Sequence, residues 1–194
     1  VQSTEKLKEF CKNGTLLTSS SVDPRLAQLY KNVFAILRSA STSTALLVED
    51  PDDIIYHEGT NAGTFAVTLA AIMGYEVIHV LGLDLGAKDQ SDQRIESALS
   101  QSYRTMNIEV RGNLTDSVWT DEYLKDSALI LGQFLKVFKE SKELKVYNYS
   151  DGQRIANTIS AKPKSFHENL KSSENNQQCF KANNAAIPKK QNSN

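Results

Sequence analysis

The stretch from Tyr56 to Gly86, YHEGTNAGTFAVTLAAIMGYEVIHVLGLDLG, constrains this chain most, because it dictates a loop, a helix and a strand in direct succession. Ala62, Phe65, Ala66, Leu69, Ala70 and Met73 recur at three- and four-residue steps, which puts them on one face of a helix. Gly74 follows as a left-handed stop. Val77, Ile78, Val80 and Leu81 then form a short apolar run of β-rich composition, as expected of a strand covered on both faces in a parallel sheet. The run ends at Gly82, Asp84 and Gly86. Ligands of open α/β sheets sit outside the carboxyl ends of the strands, so small residues and a carboxylate there are well placed for function.

The loop ahead of the helix, Gly59 to Thr64, reads GTNAGT and has two readings. Unhindered backbone N–H groups and hydroxyls at a helix N-terminus make a cradle for an anion or phosphate. The same residues also serve simply to cap a helix. Neither a P-loop lysine nor a GxGxxG dinucleotide fingerprint accompanies them.

Alternation of strands and helices runs through the rest of the chain. Ser3 can cap a helix carrying Leu7, Phe10 and Cys11, and Thr15 to Thr18 form a strand candidate. Asp23 and Pro24 read as an N-cap and first helical position, with Leu26, Leu29, Tyr30, Val33, Phe34 and Leu37 predicting a helix to about Arg38. After a loop over Ser39 to Thr44, strands are expected at Ala45–Val48 and Ile54–Tyr56. Beyond the central unit, Ala87 to Asp92 is a polar connection and a weakly patterned helix is expected from about Asp92 to Tyr103. Ile108–Val110 is a strand candidate, RGNLTDSVWT a loop, and Thr120 the cap of the longest helix. On that helix Leu124, Ala128, Leu131, Leu135 and Phe138 form an apolar stripe to about Lys142. Lys145–Tyr149 is the last strand candidate, closed by the turn residues Ser150 to Gly152. The pattern argues a single Rossmann-like layered α/β domain over residues 1–160 with a mainly parallel sheet flanked by helices. Residues 161–194 are polar, with few large apolar groups, and read as a disordered tail.

A length of 194 residues suits one domain with a real core. The formal charge of −1 gives no whole-chain attraction to nucleic acid or an anionic membrane. The two cysteines, Cys11 and Cys179, lie far apart, so a reducing cytoplasm is expected rather than a disulfide framework. No run approaches the roughly 20 apolar residues of a membrane span.

Among chemistry-bearing residues, His57 precedes the GTNAGT loop and is either a base or phosphate ligand or a histidine at a strand end. His79 sits within the apolar strand and reads as a core residue. Asp84 could orient a sugar hydroxyl, hold a divalent cation or act as a base, or else cap the turn that follows. The spacing of His57, His79, His167, Cys11 and Cys179 fits no zinc site, so no metal ligands are assigned, and no GxSxG elbow occurs. Trp119, Tyr123, Tyr147 and Tyr149 could stack on a base or sugar ring, or belong to the core and its rim.

Three stretches taken together, GTNAGTFAVTLAAIMGYEVIHVLGLDLG, VRGNLTDSVWT and VYNYSDGQRIANT, resemble in order and spacing the bacterial motility-accessory-factor family, Maf, implicated in flagellin glycosylation. The resemblance covers roughly Thr15 to Thr158. The wider superfamily includes 6-hydroxymethylpterin diphosphokinases and is similar, over the loop–helix–strand unit, to lipooligosaccharide sialyltransferases that use CMP-sialic acid. In such proteins the loop before the helix and the GxD after the strand face the nucleotide. The resemblance therefore implies a nucleotide or sugar site at Gly59, Thr60, Asn61, Gly63 and Thr64 and at Gly82, with Asp84 as the catalytic residue. It adds Gly112, Asn113, Thr115 and Thr120 from the GN loop, and Asn148, Ser150, Asp151 and Gly152 from the last stretch. Gly86 stands where the sialyltransferases carry an aromatic, and no histidine base stands between Ala87 and Arg111. Related chains begin well before the point matching Val1, which implies an upstream portion with a first nucleotide-binding strand.

Three functions follow. One is a glycosyltransferase-like protein that takes a CMP-sugar, a nucleotide-activated nonulosonic acid, as donor and flagellin or another surface polymer as acceptor. Another is a pterin-type diphosphokinase in which Asp84 and Asp151 hold Mg²⁺ on a triphosphate. The third is a non-catalytic carbohydrate- or partner-binding module.

Overall fold

The structure, a computed structural model, describes residues 9, 11–19, 23–38, 46, 48–50, 54–55, 60–91, 94–95 and 103–170. The expected Ser3 cap, the loop over Ser39 to Thr44, Tyr56, His57, Gly59 and the last part of the tail, 171–194, lie outside these residues.

The molecule is a mixed α/β domain with parallel sheets flanked by helices. Strands β1 (Thr15–Ser19), β2 (Asn32–Arg38) and β3 (Ile54–Ile55) pair in parallel in that order. A second parallel sheet has the order β10–β9–β4, from β4 (Val77–Val80), β9 (Lys145–Asn148) and β10 (Ile159–Ser160). Two short antiparallel pairs lie between β4 and β9 in sequence: β5 (Arg94–Ile95) with β6 (Tyr103–Arg104), and β7 (Ile108–Arg111) with β8 (Ser117–Thr120).

The helices include α1 (Pro24–Ala27), α2 (Ala62–Ile72) and α3 (Glu122–Ser141). Helices α2 and α3 pack on one face of the second sheet. Val67 and Ala71 of α2 meet Ala128, Leu131, Phe134 and Leu135 of α3 over Val80 and Val146, with Leu85, Leu144 and Ile155 closing the cluster. Alternation along the strands follows: Ile78, Val80 and Val146 face the helices, and His79 and Tyr147 face away. The stripe on α3 is where its spacing puts it, with Ala128, Leu131 and Leu135 buried and Leu124 and Phe138 packed against the cluster.

Several sequence expectations are corrected. The helix expected from Pro24 to Arg38 is one turn, after which the chain extends into β2 and pairs residue by residue with β1, Thr15 opposite Asn32 through Ser19 opposite Ile36. Val33 to Leu37 are all apolar, so a three- and four-residue spacing can be drawn through them although their β-branched and aromatic composition favours a strand. In place of the strand expected at Ala45–Val48, Leu46 is helical and Val48 has no regular structure. The helix expected from Asp92 to Tyr103 has strands at Arg94–Ile95 and Tyr103–Arg104 instead. Within RGNLTDSVWT, Ser117–Thr120 is strand β8 rather than loop, and Asp121, not Thr120, caps α3 by accepting from the Leu124 amide.

Helix α2 and its stop at Gly74, φ +91°, are as expected, but its buried face is Thr64, Val67, Thr68 and Ala71. The face drawn through Phe65, Ala66, Leu69 and Met73 is partly or wholly exposed, Met73 at 55%. An apolar residue stands on nearly every side of this helix, so spacing alone leaves its rotation open.

Residues 161–170, expected to begin the tail, are folded. Pro163–Ser165 form a 3₁₀ turn that continues as helix to Leu170. Phe166 sets its edge against His79 and Tyr149, at 5.6 and 5.4 Å between centroids. His79 stacks on Tyr147 and Tyr149, its Nδ1 lies 3.0 Å from the Tyr149 hydroxyl, and Asn169 donates to that hydroxyl. This aromatic group covers the sheet face away from α2 and α3.

Two outcomes follow. Leu131→Ala, at the centre of the cluster, should destabilise the fold by about 2 to 5 kcal/mol, read from the urea midpoint. Burial holds the His79 imidazole below its ordinary 6.5, so the unfolded chain takes up its proton first as pH falls. The stability this neutral ring contributes is complete above 6.5 and is lost as pH drops through the folded value. Melting temperatures measured on both sides of this range should fall more on acidification for wild type than for His79→Gln.

Candidate functional site

Parallel pairing decides which loops can meet. Strands β4 and β9 are neighbours in register, with Val80 opposite Asn148, so the segments that leave them, Leu81–Gly86 and Tyr149–Gln153, emerge side by side. Helices α2 and α3 each run back before a strand of this sheet, which brings their N-termini toward the same edge. The cluster is thus assembled at the carboxyl ends of the strands.

The two loops are held at backbone contact. A Cβ on Gly152 would overlap the Asp84 backbone carbonyl, so only glycine lets the chains approach this closely. The same carbonyl accepts from the Gln153 amide at 2.6 Å, and the Leu83 amide donates to Ser150 Oγ at 2.9 Å. Gly82, φ +72°, and Leu85, φ +49°, make the turn; the leucine occupies the left-handed region, and Gln153 and Thr120 Oγ1 grip the carbonyls of Asp84 and Leu85.

Asn113 is the staple of the arrangement. Its Nδ2 donates to the carbonyls of Asn148 and Ser150 at 3.0 and 2.8 Å, its amide donates to Gly152 and its Oδ1 accepts from Ser160. Asn148 Oδ1 in turn accepts from the Ser150 amide. The sequence-derived residues Gly82, Asp84, Asn113, Asn148, Ser150, Asp151 and Gly152 therefore come together, but the polar groups of Asn113 and Ser150 are spent on shaping the loop. Thr115 serves the β7–β8 turn, donating to the Ser117 carbonyl and packing over Gly112.

From Thr60 to Thr64 the GTNAGT loop is a closed capping box. Asn61 Oδ1 accepts from the amides of Gly63 and Thr64, and Thr64 Oγ1 accepts from those of Thr60 and Asn61. Four N–H groups that could cradle a phosphate are satisfied within the loop. Thr60 is also tied to α3, its hydroxyl donating to Ser127 Oγ and its carbonyl accepting from Tyr123. Gly63 reaches the GLD turn, where an added Cβ would lie 2.6 Å from Leu83 Cδ1.

No protein-family model matches the chain, and no curated protein matches it. Among solved structures it is similar to the Maf glycosyltransferase from Magnetospirillum magneticum AMB-1, at 22% identity and a TM-score of 0.60 over 90% of this chain. The two share a fold. The chain spans 28% of the length of that protein.

On this shared fold the charges of the site fall at one place. Lys88 pairs with Asp151 across the two loops. Its ammonium is held above the ordinary lysine range by the Asp151 hydrogen bond first, then by the Asp151 charge, with the Asp84 carboxylate adding to them. Lys88 escapes sequence reasoning because it stands alone in a polar connection; its offset from Asp84 becomes informative only once Gly152 brings Asp151 alongside. Gln153 escapes for the same reason. Among the described residues no three His, Cys, Asp or Glu side chains converge as a metal site; of the two carboxylates that the diphosphokinase alternative assigns to Mg²⁺, Asp151 is paired with Lys88. Asn61 Nδ2, Asn148 Nδ2 and Gln153 Oε1 are buried without a hydrogen-bond partner, so these elements retain polar capacity that the fold leaves unused.

Gly152→Ala tests the close approach. Relieving its overlap must part the two loops, at a cost of about 1 to 3 kcal/mol or more. The amides of Gln153 and Asn113 should lose hydrogen-exchange protection while those of β9 keep theirs.

Proposed function

We propose that this chain is the donor-binding part of a Maf-type, glycosyltransferase-like protein, and that it binds a CMP-activated nonulosonic acid at the carboxyl edge of β4 and β9. The observation that carries the reading is the fusion of the Gly82–Gly86 turn with the Ser150–Gly152 loop, which puts Asp84, Lys88 and Asp151 at the edge where open α/β sheets bind ligands. The fold shared with a Maf glycosyltransferase supports it. Asp84 is the catalytic group in this reading, accepting from a hydroxyl of the sugar or ribose, and Asn113, Asn148 and Ser150 hold the loop that faces it. The donor phosphate lies toward the N-terminus of α2, where Thr60, Asn61, Gly63 and Thr64 bind it only if Asn61 and Thr64 give up the amides they now cap. The acceptor is a hydroxyl of flagellin or another surface polymer, not nucleic acid. The place of action in this reading is the cytoplasm, in keeping with two cysteines, Cys11 and Cys179, that lie far apart in the sequence.

Titration of CMP, CMP-sialic acid and ATP, each with and without Mg²⁺, tests this. Wild type should bind the CMP compounds without a metal. Asp84→Asn keeps the size of the side chain and removes its charge, and should weaken CMP-sialic acid about tenfold or more at unchanged melting temperature. Metal-dependent ATP binding would instead mark a diphosphokinase, and binding of none of these ligands a non-catalytic module.

A further inference from the structure

We propose that Lys88 is the anion-binding group of this site and that Asp151 occupies it in the ligand-free protein, to be exchanged for an anionic group of the donor. The inference rests on the donor-binding reading above and names the residue that recognises the donor's charge. Its first support is that the pair is carried on two fixed supports. Ala87, next to Lys88, exchanges both backbone hydrogen bonds with Trp119, at 2.7 and 2.8 Å. Asp151 sits between Ser150, whose carbonyl accepts from Asn113, and Gly152, locked against Asp84. Lys88 therefore spans the mouth of the two loops from a set position.

The second support is energetic. The side chains of Lys88 and Asp151 are 66% and 48% exposed, and ion pairs at that exposure contribute little to stability. Such a pair opens at small cost. A CMP-activated nonulosonic acid brings two anionic groups, a phosphodiester and a carboxylate, each able to form a charge-assisted bond with an ammonium, against the single charge of Asp151, so the donor displaces Asp151. The third support is the closed α2 cap: with its amides taken by Asn61 and Thr64, the N-terminus of α2 does not by itself neutralise an incoming anion.

A CMP-sugar of a nonulosonic acid offers two anionic groups, a phosphate and a carboxylate, and the test separates them. Cytidine, CMP and CMP-sialic acid are titrated into wild type, Lys88→Gln and Asp151→Asn, with thermal melts to verify folding. Lys88→Gln should bind CMP about tenfold more weakly and cytidine unchanged. Asp151→Asn, which removes the competing carboxylate, should bind CMP more tightly than wild type. If Lys88→Gln weakens CMP-sialic acid but not CMP, the exchange holds and the sugar carboxylate is the partner. Wild-type affinity for both anionic ligands in Lys88→Gln overturns the inference while leaving the donor-binding reading intact. Equal weakening by the two variants also overturns it, because the pair would then be structural. If wild type binds none of the three, the donor-binding reading fails and this inference with it.

Discussion

Everything at the candidate site depends on the parallel pairing of β4 with β9 in the register that sets Val80 opposite Asn148. A slip of one residue would put Val146 on the same face as His79, so that either Val146 leaves the core or His79 enters it. It would also separate the GLD turn from Ser150–Gly152, since their backbone contact has no slack. Burial under α2 and α3 fixes the register, because Val80 and Val146 belong to the same apolar cluster as Leu131 and Leu135. Core packing and site geometry are thus one constraint seen from two faces of a four-residue strand.

The distribution of hydrogen bonds shows which polar residues shape the edge. Asn113, Ser150, Thr120 and the Asn61–Thr64 box are occupied by backbone partners. Their chemistry, rich in amides and hydroxyls, looks like recognition when met as sequence. Placed in the fold, most of it replaces the regular hydrogen bonding that irregular loops lack. Lys88 and Asp151 instead pair with each other, and the Asp84 charge acts on Lys88.

Where composition and spacing agree, the sequence is readable: Leu124 through Phe138 specify both a helix and its buried face, and Gly74 marks a helix end whose positive φ is observed. Where every residue is apolar, spacing carries no phase. Helix α2 could therefore be located from Ala62 to Met73 but not rotated, and Val33 to Leu37 passed for helix because the partner strand that makes them β2 lies in another segment. Thr120 and Asp121 compete for one cap, and the choice falls to Asp121 because Thr120 is committed to the Leu85 carbonyl, a contact 35 residues away. In the site, Asp84 is nameable from its place after the apolar strand, and Asn113 and Asp151 from the resemblance to the Maf family. Lys88 and Gln153 are not, because what gives them a role is the approach of two distant loops.

The space denied to a side chain at Gly152 makes the GLD turn and the SDG loop move as one body. Free-energy changes on the two loops should therefore not sum. Substitutions in them share a single backbone contact, and residues coupled in that way show interaction energies that distant pairs lack. For this edge of the sheet the pair of loops, rather than the single residue, is the unit on which selection and engineering both act.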